Sequence, residues 1–242
     1  MTTKNSPTVI LVPGYWLGGW AWDHVTDALQ RQGRKTQAVT LPGLENLQTP
    51  RYGIGLEDHV AAINKVIGDV SCPVVLVAHS GAGALASLVL DRAPDLVGRV
   101  VYVDSGPVAD GSIARPDLAA DAVELPLPSW EQLEAGGASL TGLDEAALQR
   151  FRTGAVPHPA GPLRQPARLD NPGRLQVPAT VICCSMPSAV IRQMLADGGG
   201  MFASLADYQD LSYVDLPTGH WPMWSAPDAL AKAIAAAEGG TA

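Results

Sequence analysis

The run Val74-Val-Leu-Val-Ala-His-Ser-Gly-Ala-Gly83 constrains the fold of this chain more than any other feature. An unbroken apolar segment feeds directly into a serine surrounded by Ala78, Gly81, Ala82 and Gly83, and a helical pattern begins at once, from Ala82 to Arg92. A strand that turns into a helix at a single residue forces that residue into a strained backbone, and residues two before and two after it must be small to pass across the turn. Alanine at 78 and 82 stands where glycine is more usual, and it is still small enough. The reading is a nucleophile elbow with Ser80 exposed at its tip. The backbone N–H of Gly81, at the helix start, would face an oxyanion forming beside Ser80. The plain alternative is a strand, loop and helix in which Ser80 is only a cap.

The rest of the chain alternates in the same way. Short β-branched runs at Thr8 to Val12, Thr36 to Thr40, Val74 to Ala78, Arg99 to Val103, Thr180 to Cys183 and Ser212 to Leu216 read as strands buried on both faces, the mark of a parallel sheet. Helices are predicted at Trp20 to Gln32, Leu56 to Gly68, Ala82 to Arg92, Ser188 to Ala196 and Pro227 to Ala237, with Gly33 stopping the first and Pro94 following the third. The expected fold class is α/β: a mostly parallel central sheet flanked by helices. From about Pro107 to Pro178 the rhythm breaks into Pro- and Gly-rich sequence with short helical patterns around Trp130 to Leu133 and Leu143 to Phe151. A structureless connection of that length is unusual, so this segment is expected to be a small helical cap inserted after the strand that ends at Asp104. The division expected is one domain over 1–242, with a core of 1–106 and 178–242 and a cap of about 107–177.

Composition narrows the partners. A formal charge of −8 with scattered Lys and Arg argues against nucleic acid, which needs a concentrated basic surface. The apolar runs are too short to cross a bilayer, and the polar start from Met1 to Pro7 does not read as a secretory signal, so a cytoplasmic location is expected. Cys72, Cys183 and Cys184 are read as reduced thiols, because adjacent strand residues point to opposite faces. His24, His59, His79, His158 and His220 show no paired metal-ligand spacing, so neither a metal nor any other cofactor is expected.

A serine hydroxyl needs a base to take its proton. His220, in Leu216-Pro-Thr-Gly-His-Trp-Pro-Met-Trp224 between the last strand and the last helix, is placed to reach the end of the sheet where Ser80 lies. His79 adjoins the serine but its side chain should point away, His24 and His59 fall in helical patterns, and His158 falls in the cap.

With these residues in view, the sequence resembles the α/β-hydrolase superfamily over nearly its whole length. Within it, the stretches Val12-Pro-Gly-Tyr-Trp-Leu-Gly-Gly-Trp-Ala-Trp22 and Gly219-His-Trp-Pro-Met223 are similar to the small esterases and hydroxynitrile lyases that include plant methylesterases. The resemblance implies that the N–H of Tyr15 is the second oxyanion donor, beside Gly81. Pro13 stands where that group usually carries histidine. The group's acid usually follows the strand that here is Ala179 to Cys184, yet no Asp or Glu occurs between Asp170 and Asp197. Asp104 is the best replacement, at the end of the preceding strand on the edge that carries Ser80, and some members of the superfamily place their acid there. A buried aspartate that only bonds loop amides is the competing reading. Asp197, Asp207, Asp210 and Asp215 fit less well, and Ser185 or Ser188 could instead orient His220 through a neutral hydrogen bond.

The expected function is acyl transfer to water on a carboxylic ester, thioester or lactone of a small apolar molecule, with Ser80, His220 and Asp104 as the catalytic residues and Tyr15 and Gly81 as the oxyanion hole. Trp16, Trp130 and Trp221 are expected to line an apolar pocket, while Trp20 and Trp22 are read as packing residues. Two other readings stay open: non-hydrolytic acid-base chemistry, such as a lyase or cyclase, and a non-catalytic small-molecule binding protein. Oligomeric state is not legible.

Overall fold

A computed structural model describes residues 6–238. The first half runs β1 (Val9–Val12), α1 (Asp23–Arg31), β2 (Thr36–Ala38), α2 (Leu56–Gly68), β3 (Val74–His79), α3 (Ala82–Arg92) and β4 (Val97–Val103). The next segment carries the two-residue strands β5 (Glu124–Leu125) and β6 (His158–Pro159), paired antiparallel, with short helices α4 (Trp130–Ala135), α5 (Glu145–Gly154) and α6 (Ala160–Arg164). The chain then returns through β7 (Ala179–Cys183), α7 (Ser188–Ala196), β8 (Leu211–Asp215), α8 (Pro222–Ser225) and α9 (Pro227–Glu238). Six strands form one parallel sheet in the order β2-β1-β3-β4-β7-β8.

Strand alternation builds two cores from the same strands. Ile10, Leu76 and Val100 face one side, against Ile63 and Ile67 of α2 and Leu88 and Val89 of α3. Val9, Leu11, Val75, Val77 and Val101 face the other, against Leu29 of α1 and Leu230 and Ile234 of α9. The central strands β1 and β3 are therefore buried along their whole length, as their β-branched sequence predicts. The two edge strands differ from that expectation: β2 and β8 are half-exposed, because each has a neighbour on one side only. The helix predicted from Trp20 begins as a 3-10 turn over Gly19–Trp22 before α1 proper, whereas α2, α3 and α7 have the predicted bounds.

The register aligns the C-terminal ends of the strands that matter. Val12 pairs with Ala78, His79 with Val103, Val103 with Ile182 and Cys183 with Asp215. Whatever follows β1, β3, β4, β7 and β8 is consequently delivered to one edge of the sheet, where open α/β sheets place their ligands.

Candidate active site

Among the described residues, three non-glycine residues have positive φ: Trp16 (66°), Ser80 (53°) and Asp104 (42°). Each follows a strand of this edge, and such backbone strain persists only where the surroundings enforce it. At Ser80 the enforcement is visible. Its N–H donates to the Val103 carbonyl at 3.2 Å, its own carbonyl accepts from the Gly83 N–H at 3.0 Å, and the Ser105 hydroxyl donates to that carbonyl at 2.5 Å. Gly14 allows a close approach here, since a Cβ would lie 3.0 Å from both Nδ1 of His79 and Cβ of Ser80 and the neighbours would have to give way. The loop after β1 is thereby brought against the elbow.

His220 spans the gap between serine and carboxylate. Its Nε2 lies 2.8 Å from Ser80 Oγ and its Nδ1 2.6 Å from Asp104 Oδ2. An ionised Asp104 can only accept, so Nδ1 carries the proton and the Nε2 lone pair faces the serine hydroxyl. Asp104 Oδ1 accepts from the N–H groups of Cys184 and Ser185 at 3.1 and 2.9 Å, and Oδ2 also accepts from the Ser185 hydroxyl at 2.6 Å. Burial opposes ionisation of Asp104, but the bond and charge of His220 and the bonds from Ser185 outweigh it and bring the carboxyl down to about 2. His220 thus has a carboxylate behind it, supplied from the end of β4 and not from the loop after β7.

Among the described residues neither Ser185 nor Ser188 hydrogen-bonds His220, contrary to one of the readings above: Ser185, in the loop after β7, holds Asp104, and Ser188, the first residue of α7, holds Asp215. The position that lacks an acid thus supplies donors to the acid next door.

Further supports were missed in the sequence. His79 is buried, and its Nε2–H donates to the His220 backbone carbonyl at 2.7 Å. Burial first, then neighbouring His220, lowers its pKa to about 3, so the ring is neutral and serves as a strut. From the segment between β4 and β7, the Ser139 and Thr141 carbonyls accept from the N–H groups of His220 and Gly219 at 2.7 and 3.1 Å. Gly219 has no room for a side chain there, since a Cβ would meet both carbonyl oxygens. No local sequence signal marks this clasp. Cys184, beside the site, is held as a thiol, because burial and then the Asp104 charge push its pKa up to about 12.

Tyr15 and Gly81 line the same cavity as Ser80 and His220. Trp16 lines a second cavity at Ser80, and its Nε1–H donates to the Leu125 carbonyl at 3.0 Å. Trp130 and Trp221, expected in the pocket, line neither cavity. Trp221 is buried with Phe151, the ring centroids 4.9 Å apart, and its edge braces His220 at the same separation. Trp130 packs on Phe151 beneath the Arg152 guanidinium. Both serve the packing of α5 onto the histidine loop, a role that apolar character alone does not distinguish from pocket lining. Trp22 is fully buried and Trp20 stacks on Trp224, as packing residues do.

Residues 9–233 match the alpha/beta hydrolase family. The chain is similar to the carbendazim hydrolyzing esterase of Nocardioides sp. (strain SG-4G), 28% identical over 248 residues that cover 94% of this chain and 98% of that one. It is also similar to methylesterase 7 of Arabidopsis thaliana, 30% identical over 113 residues, 43% of this chain and 41% of that one. Among solved structures, a methylesterase protein from Arabidopsis superposes with a TM-score of 0.75 at 18% identity, over 96% of this chain and 98% of that one, a likeness of fold.

Proposed function

This chain belongs to the alpha/beta hydrolase family, and on that premise we propose that it is a serine-dependent carboxylic ester hydrolase. The observation that carries the reading is the double contact of His220, 2.8 Å to Ser80 Oγ and 2.6 Å to Asp104 Oδ2. Ser80 Oγ attacks the carbonyl carbon of an ester, thioester or lactone as His220 Nε2 takes its proton. The N–H groups of Tyr15 and Gly81 hold the resulting oxyanion. Collapse of that intermediate expels the alcohol or thiol, which receives the proton from His220, and leaves an acyl-Ser80 ester. Water then attacks the acyl group with His220 again as base, releasing the carboxylic acid and restoring the serine. Asp104 keeps the imidazole in the working tautomer and stabilises its charged form.

In this proposal residues 107–177 act as a cap over the sheet edge, and the substrate is a small apolar molecule. A cytoplasmic location belongs to the same proposal: it suits the free thiols of Cys72, Cys183 and Cys184. Among the described residues no helix is long and apolar enough to cross a membrane.

The test is hydrolysis of short-chain p-nitrophenyl esters by the wild type, Ser80→Ala and His220→Ala. The reading expects turnover by the wild type and a loss of about 10⁴-fold or more in either variant. A Ser80→Ala protein that retains wild-type turnover would sink it.

A further inference from the structure

Two cavities meet at Ser80. One, of about 330 Å³, extends along Ala84, Pro107, Val108 and Ile113. The other, of about 470 Å³, extends along Trp16, Ala138, Met186 and Ile191. They share Ser80, His220 and Tyr15 at the centre, and a common wall made by Met201 and Phe202. An ester carbonyl held at Ser80 Oγ carries one substituent on its acyl side and one beyond its scissile oxygen. Cavities of this size each suit a group of several carbons, and a methyl or ethyl group would leave most of either space unused.

The electrostatics of the walls restrict the substituents further. Among the described residues, no Lys or Arg lines either cavity. The one carboxylate in the walls, Asp104, is already saturated by His220, Ser185 and the Cys184 N–H. Arg115, whose charge reaches Tyr15, is tied by two nitrogens to Asp117 at 2.7 and 2.9 Å. A carboxylate brought against these walls would give up part of its hydration and meet no cationic side chain, a cost that grows with the depth at which it is held. The net charge of −8 also disfavours the approach of an anion.

We propose that the substrate is an uncharged ester with a sizeable apolar group on both the acyl and the alcohol side, and that Met201 and Phe202 are the specificity-determining residues holding the two groups apart. The inference rests on the esterase reading above and deepens it. It excludes esters of free diacids and amino-acid carboxylates, and it excludes esters in which one side is only a methyl group as preferred substrates.

The experiment measures kcat/KM for ethyl acetate, ethyl phenylacetate, benzyl acetate and benzyl phenylacetate, and for benzyl phenylacetate with a para-carboxylate on either ring. Each added ring is expected to raise kcat/KM about tenfold or more, and either carboxylate to lower it about tenfold. Phe202→Ala is expected to narrow the ratio between benzyl phenylacetate and ethyl acetate. Fluorophosphonate labelling of Ser80, run in parallel, separates the two levels of the argument. If Ser80 labels but ethyl acetate equals benzyl phenylacetate, or the carboxylate esters equal their parent, or none of the set is cleaved, the substrate inference is overturned while the activated serine stands. If Ser80 neither labels nor turns over any ester, the esterase reading itself fails.

Discussion

Replacing Asp104 with asparagine tests the electrostatic design of the site with little change of shape. Oδ1 of Asp104 faces two backbone donors, the N–H groups of Cys184 and Ser185 at 3.1 and 2.9 Å, whereas Oδ2 faces His220 Nδ1 and the Ser185 hydroxyl, both at 2.6 Å. The amide of Asn keeps its oxygen at the Oδ1 position, because an NH₂ there would face two backbone donors, the Cys184 and Ser185 N–H groups, and leave them unpaired at about 1–3 kcal/mol each. Its NH₂ then points at His220 Nδ1, which has to present a lone pair. The proton moves to Nε2, and the ring faces Ser80 Oγ as a donor instead of a base. Favouring that tautomer by about 2–6 kcal/mol corresponds to a loss of about thirty-fold to 10⁴-fold in kcat. Loss of the negative charge beside the imidazolium in the transition state puts the expectation at the upper end, about 10⁴-fold. The assay is kcat on a p-nitrophenyl ester, with a thermal melt to show that the variant is folded. A variant with unchanged Tm and a kcat within about threefold of the wild type would refute the assignment of Asp104.

Acid sensitivity and the histidine clasp give further predictions. Asp104 sits at about 2 in the folded chain against 3.8 for the free side chain. Its contribution to stability is therefore complete above about pH 4 and is lost as pH falls through about 2. Urea midpoints should drop over that window in the wild type and less steeply in Asp104→Asn, and equal slopes would contradict the shift. His79 is lowered from 6.5 to about 3, so the unfolded chain takes up a proton that the folded one refuses. Stability from this source is complete above about pH 6.5 and erodes toward pH 3, and His79→Gln, which keeps a donor for the His220 carbonyl, should flatten that slope. Gly219→Ala puts a methyl against the carbonyls of Ser139 and Thr141. A cost of about 1–3 kcal/mol is expected, read as a lower Tm together with a lower kcat, and a variant unchanged in both would disprove the clasp.

The parts of this protein that were legible in its sequence are those fixed by local chemistry. Continuous β-branched runs identify β1, β3, β4 and β7 because both faces of these strands are buried, and the small residues around Ser80 identify the elbow because the turn tolerates nothing larger. The edge strands were less faithful to the rule, since β2 and β8 need only half as much apolar surface. The serine and histidine could be paired through motifs, and the carboxylate through the register that ends β4 beside β3 and β7. What stayed hidden depends on tertiary approach alone: the Ser185 donors to Asp104, the His79 strut, and the carbonyls of Ser139 and Thr141 that hold the histidine loop. Trp130 and Trp221 show the same limit, because an aromatic side chain reads alike whether it lines a cavity or braces a loop.

The most direct test of an activated Ser80 is covalent. The wild-type protein is treated with a fluorophosphonate, digested, and its peptides mapped by mass spectrometry, with Ser80→Ala and His220→Ala treated alongside. The account predicts one adduct, on Ser80, formed rapidly in the wild type, absent in Ser80→Ala and slowed about 10³-fold or more without the histidine base. An adduct on another residue, or labelling of Ser80 at the same rate in His220→Ala, would contradict it.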